Sequence, residues 1–133
     1  GADGIFLTKD TADLFQPKVI RSTMGSVFRV PHFFVEDVLE AAEILRKAGV
    51  TIYAAVLASG AKRYDDSGFS YQDPTAFLIG NEGNGLSDEA VSAADHRIFI
   101  PMQGKLESLN ASVAASILLF DAAKSRCKNE DLV

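Results

Sequence analysis

Two stretches place polar residues where packing alone explains them poorly. The first is Phe77-Leu78-Ile79-Gly80-Asn81-Glu82-Gly83-Asn84-Gly85-Leu86. An apolar strand runs into a glycine-rich turn and on towards a helix. Parallel α/β sheets bind their ligands beyond such strand ends. Gly80, Gly83 and Gly85 let the backbone pass close to a ligand or to another loop. The spacing is not Gly-x-Gly-x-x-Gly and no Lys-Ser/Thr follows, so neither a dinucleotide fingerprint nor a P-loop is supported. A tight strand-to-helix turn would account for the glycines. It accounts less well for Glu82, since a carboxylate between glycines gains little from packing.

The second stretch is Ile98-Phe99-Ile100-Pro101-Met102-Gln103-Gly104-Lys105-Leu106-Glu107-Ser108-Leu109-Asn110-Ala111-Ser112. A short strand stops at Pro101, which has no backbone donor. Ile100 and Met102 could flank a ligand with apolar walls. Ser108 or Asn110 could cap the helix that follows, which would explain one of them and not the whole 108–112 array. A polar loop pinned between two buried segments is stiff, and sites are built on stiff loops.

Other residues offer less. His32 and His96 stand without a second His or Cys at ligand spacing, so no metal site is expected. Arg21 and Arg29 bracket residues 22–26 and could touch phosphate, or could be solvated arginines beside a strand. Asp65, Asp66 and Asp73 read as a solvated loop. The single cysteine, Cys127, excludes an internal disulfide and fits a reducing cytoplasm.

The elements that must hold these stretches follow from periodicity. Strands are expected at residues 4–7, 27–31, 51–57, 76–79 and 97–100, the second of them stopped by Pro31. A helix starts at Pro17 and runs towards Gly25. Residues 36–48 form an amphipathic helix with Val38, Ala41, Ala42, Leu45 and Ala48 on one face and Gly49 as its stop. Residues 58–74 read as a loop with Tyr64, Phe69 and Tyr71 scattered in it, and Ser87 caps a short helix. The helix over residues 109–124 is apolar nearly all round, so it is buried on more than one side, by its own domain or by a partner subunit. Continuous apolar strands alternating with helices predict an α/β fold, a mostly parallel sheet with helices on both faces. A length of 133 residues fits a single domain, 1–133.

The net charge of −5 and pI of about 4.9 argue against strong nonspecific nucleic-acid binding by this chain alone, though not against a local basic patch. No apolar run approaches the roughly 18 residues of a membrane helix, so no membrane partner is expected.

Together the two stretches carry a resemblance. Residues 77–86 resemble the second signature of the SpoU (TrmH-type) RNA ribose 2′-O-methyltransferases of the SPOUT superfamily. Ile100-Pro101-Met102 with Ser108-Leu109-Asn110-Ala111-Ser112 is similar to their third. The segment from Arg21 to Pro31 also resembles its counterpart there, so the resemblance covers residues 1–124. It implies a parallel α/β domain with a C-terminal trefoil knot, one of the rare exceptions to unknotted topology. It also implies S-adenosyl-L-methionine as cofactor, rRNA or tRNA as substrate, a cytoplasmic homodimer with the last helix in its interface, and no metal. By the same resemblance Gly80, Ile100 and Leu109 contact the cofactor largely through backbone, and Leu57 and Met102 line its pocket. Asn110 would position the substrate or the loop in catalysis. Glu82 would hold the loops or orient polar groups, without acting as the base. Arg21 and Arg29 are candidate RNA contacts.

Two departures stand out. Ala111 occupies a position where valine is commoner. The family's first signature, an Asn followed by an essential Arg, normally lies just ahead of a stretch like residues 1–7 and is not in the sequence. The expectation is therefore a domain truncated at its N-terminus and inactive by itself. The alternative is an inactive knotted RNA-binding or dimerisation module.

Overall fold

The computed structural model describes residues 2–9, 11–81, 83–102 and 109–127. Glu82 and Ser108 lie outside the described residues. The chain divides into two compact units, residues 1–41 and 42–133.

In the first unit, β1 (Ile5–Thr8) pairs in parallel with β2 (His32–Val35), Ile5 opposite His32 and Thr8 opposite Val35. Between them α1 (Pro17–Ser22) opens on its proline, where a missing N–H costs nothing. The strand expected at residues 27–31 does not form. Met24 (φ 50°) and Gly25 (φ 78°) turn the chain into a single 3₁₀ turn, Ser26–Phe28. The N–H groups of Arg29 and Val30 are then spent on the Ser26 carbonyl, at 2.9 and 3.0 Å. The strand follows the proline instead: the Pro31 carbonyl accepts from Ile5 N at 2.9 Å. A residue without a donor is tolerated at a strand's beginning, and His-Phe-Phe-Val suits a pleated surface.

Helix α2 (Val38–Lys47) is capped at both ends. Asp37 Oδ1 accepts from Leu39 N and Glu40 N, each at 2.9 Å, and the Glu40 carboxylate takes Glu36 N at 2.7 Å. At the other end Gly49 adopts φ 72°, and Val50 N donates back to the Leu45 carbonyl at 3.0 Å. This is the left-handed stop that the glycine implied.

The second unit is a four-stranded sheet of β3 (Thr51–Ala55), β4 (Lys62–Arg63), β5 (Thr75–Leu78) and β6 (His96–Phe99), in the order β4-β6-β3-β5. Each of its strand pairings is parallel. Neighbouring residues of β3 face opposite sides. Ile52 packs with Ala42 of α2 and with Ala93, the residue after α3 (Asp88–Ser92). Tyr53 packs with Ile98 and with Leu118 and Ala122 of α4 (Ala111–Arg126). Helices therefore cover both faces of this sheet, as expected, whereas the single sheet that was expected is two: β1 and β2 pair apart from the other four strands.

The residues expected to be scattered in the 58–74 loop are core instead. Tyr71 is buried beside Tyr53 with ring centroids 5.2 Å apart, and Tyr64 and Phe69 pack on the same cluster. The Tyr71 hydroxyl donates to the Tyr64 carbonyl at 2.6 Å, so its polar end is satisfied inside. Only part of α4 is covered. Leu118 and Ala122 are buried, whereas Val113, Leu119 and Phe120 are exposed, Phe120 by 70%.

Candidate functional site

Register builds the site. Ala54 of β3 lies between Leu78 of β5 and Arg97 of β6. Leu57, Gly80 and Ile100 stand three, two and three residues beyond that row, so parallel strands deliver all three to one edge of the sheet. The ladder continues one step past β3, where Val56 N donates to the Ile98 carbonyl at 2.9 Å. Helix α4 reaches the same edge from the other direction. Near its C-terminal end, Arg126 donates from Nε to the Tyr71 carbonyl at 2.8 Å and from Nη2 to the Asp73 carbonyl at 3.1 Å, just ahead of β5. Leu118 sits in the core against Ile98. The helix thus runs against the strands, so that its N-cap, Asn110, and Leu109 before it lie towards the carboxyl edge.

The edge is apolar. Leu57 is 60% exposed, and Gly80, Ile100, Met102 and Leu109 are half-buried. Ile100 is anchored on the Tyr53 core.

The Gly80 turn folds onto its own strand. Asn81 Oδ1 accepts from Gly83 N at 3.0 Å and Asn84 N at 2.7 Å, while Gly85 N donates to the Asn81 carbonyl at 3.0 Å. Gly85 adopts φ 66°. The result is that a Cβ at Gly80 would lie 2.2 Å from the Gly85 carbonyl carbon. Of the two explanations open in the sequence, another loop, and not only a ligand, requires that glycine. Asn81 was not singled out by sequence, although an Asn preceding two glycines is a turn signal.

Asn110 has a structural task. Its Oδ1 caps α4, accepting from Ser112 N at 3.0 Å, Val113 N at 3.4 Å and the Ser112 hydroxyl. The expected catalytic pair therefore divides: Asn110 stands at the edge as a cap, and Glu82 lies outside the described residues. Arg21, in the last turn of α1, and Arg29, closing the 3₁₀ turn, are exposed residues of the first unit.

Two electrostatic features mark the second unit. Arg63 donates to both oxygens of Asp65 at 2.8 Å, and this bond holds the Asp65 carboxyl below its usual range. Burial first, then the carboxylates of Asp73 and Asp95, raise the Tyr53 phenol. Among the described residues no cluster of His, Cys, Asp or Glu could hold a metal ion, and no helix is long and apolar enough to cross a membrane.

The second unit is thus a parallel α/β unit whose strand carboxyl ends form one edge, the place where sheets of this class bind their ligands. Residues 1–120 match the SpoU rRNA Methylase family, and the chain belongs to it. It is 36% identical over 132 residues to a 23S rRNA (uridine(2479)-2′-O)-methyltransferase of Streptomyces viridochromogenes, covering 95% of this chain and 45% of that one. It is 44% identical over 92 residues to a tRNA (guanosine(18)-2′-O)-methyltransferase of Thermus thermophilus, covering 69% and 46%. The crystal structure of an AdoMet-bound rRNA methyltransferase from Sinorhizobium meliloti superposes with a TM-score of 0.85 at 34% identity, over 96% of this chain and 48% of that one. The chain spans about half the length of the relatives it matches.

Proposed function

We propose that this chain is the cofactor-binding part of an S-adenosylmethionine-dependent RNA ribose 2′-O-methyltransferase acting on rRNA or tRNA. The observation that carries the reading is the convergence of Leu57, Gly80 and Ile100 on one sheet edge in a chain of the SpoU family. The residues present suit this cofactor. S-adenosylmethionine has a flat adenine ring and a sulfonium methyl beside its polar ribose and amino-acid ends, and an exposed Leu57 beside half-buried Ile100, Met102 and Leu109 offers apolar walls for the ring. When bound, the cofactor supplies an electrophilic methyl carbon to a ribose hydroxyl.

The chain's own residues hold and orient. Leu57, Ile100, Met102 and Leu109 exclude water from the edge. Gly80 keeps the turn against the strand end. Asn110 acts as a positioning residue: by capping α4 it fixes Leu109 and the edge beside it. Glu82 is assigned to holding the loops, and Arg21 and Arg29 to RNA phosphates. The family match runs across both units, which supports one methyltransferase domain over 1–133. A C-terminal trefoil knot and a cytoplasmic homodimer complete the proposal. The exposed Val113, Leu119 and Phe120 of α4 support the homodimer.

Calorimetric titration with S-adenosylmethionine tests the reading. Saturable binding at one site per chain is expected, and no binding overturns it. Mapping of 2′-O-methyl groups in RNA treated with the intact protein then tests the reaction; a product methylated only on a base would overturn that part.

A further inference from the structure

The first unit holds a feature that cofactor binding does not use. A shallow groove of about 490 Å³ is lined by Phe15, Phe28, Arg29 and His32, with Val27 and Pro31 in its wall. The rings are mutually arranged: Phe15 lies 6.3 Å from Phe28 and 6.0 Å edge-on from His32, which meets Phe34 edge-on at 5.9 Å. They are not core. Phe15, Phe28 and Phe34 are 52, 66 and 65% exposed. The charge of the segment that carries them runs against that of the chain, with Asp13 at its boundary accepting from Phe15 N at 3.0 Å. Between Asp13 and Glu36 the sequence carries Lys18, Arg21 and Arg29 and no carboxylate, in a chain of net charge −5. Among the described residues neither Arg21 nor Arg29 forms an ion pair.

We propose that this groove is a platform on which an unpaired base of single-stranded RNA stacks, with Arg29 on the adjoining phosphate. It rests on the RNA reading above for the identity of the polymer. Single-strand sites combine flat aromatic faces, which accept any base, with cations that track the backbone. Both ingredients are here, and the volume falls within the roughly 300–1,000 Å³ of small-ligand sites. Exposed aromatic rings alone would suit a protein partner equally. Arg29 in the lining, with no carboxylate among the lining residues, favours a polyanion.

The test uses the intact protein and a fluorescent oligoriboadenylate of about ten nucleotides, followed by anisotropy at several salt concentrations. Phe28→Leu and Phe15→Leu keep apolar volume and remove the flat ring. Each is expected to weaken binding about 5- to 100-fold with the salt slope unchanged. Arg29→Gln is expected to lower the slope by about one. Unchanged affinity in both leucine variants overturns the platform. So does a loss of self-association by Phe28→Leu at constant RNA affinity, which would make the groove a protein interface. S-adenosylmethionine titration of the same variants separates the two readings. Cofactor binding that persists while RNA binding is indifferent to the rings defeats the platform alone, whereas failure of the parent protein to bind cofactor defeats the methyltransferase reading.

Discussion

An alanine at position 80 would place a methyl carbon 2.2 Å from the Gly85 carbonyl carbon, 2.5 Å from Leu86 N and 2.6 Å from the Gly85 oxygen. Ordinary contact begins near 3.4 Å, so the turn must retreat by about 1.2 Å. All three neighbours are backbone, so no side chain can swing aside. The retreat pulls on the 3.0 Å bond from Gly85 N to the Asn81 carbonyl. Overpacking of this kind costs about 1–3 kcal/mol. At about 4 °C per kcal/mol for a chain of this size, the melting temperature falls by about 4–12 °C. In the intact methyltransferase proposed above, a shift of about 1 Å at the cofactor edge also lowers turnover on the order of 100-fold. Gly83→Ala is the control, because its methyl would meet only Asn81 Oδ1 at 3.6 Å, an ordinary contact. Thermal denaturation of both variants, with and without S-adenosylmethionine, reads the difference. A Gly80→Ala protein that melts within about 1 °C of the parent and binds cofactor equally would refute the claim that the close approach demands glycine.

Asn110→Ala is expected to lose about 1 kcal/mol of stability with its cap, while Asn110→Asp keeps most of it; equal losses in both, measured by chemical denaturation, would count against the capping role. Leu118→Ala empties a fully buried position between α4 and the sheet and is expected to cost about 2–5 kcal/mol in the same assay. Burial is the first cause that raises the Tyr53 and Tyr71 phenols above their ordinary value. The folded state therefore favours the neutral phenol, and the stability this gives is complete below about pH 10 and lost as pH rises through the folded-state values. Phenolate absorbance of these two tyrosines is expected to lag until the protein unfolds; ionisation of both near pH 10 with the fold intact would contradict it.

Much of this architecture is legible in the chain because its signals are local. Gly49, Ser87 and Pro17 mark helix ends through backbone chemistry that acts within one turn. Apolar runs at β3, β5 and β6 mark a parallel sheet covered on both sides. The two candidate stretches share an edge because parallel strands put their carboxyl ends together, which needs only the strand assignments. What failed depended on distant partners. Residues 27–31 have strand-like composition, yet their donors are taken by Ser26, and the ladder with β1 begins at Pro31. Tyr64, Phe69 and Tyr71 sit among Ser, Gly and Asp, so nothing nearby announces that Tyr53 and Ile98 wait to receive them. The two-residue β4 is too short to leave a pattern; only its pairing with β6 defines it. Asn110 is readable as a cap from its residue type, and its hydrogen bonds from Ser112 and Val113 show that cap.

The carboxyl edge of the sheet is the proposed seat of S-adenosylmethionine. Backbone amide shifts of the isotope-labelled protein, recorded as S-adenosylmethionine is added, test it directly. The largest changes are expected at Leu57, Gly80, Ile100, Met102 and Leu109, with the groove at Phe15 and Phe28 unmoved. Saturable changes confined to other residues, or no change at all, would contradict it.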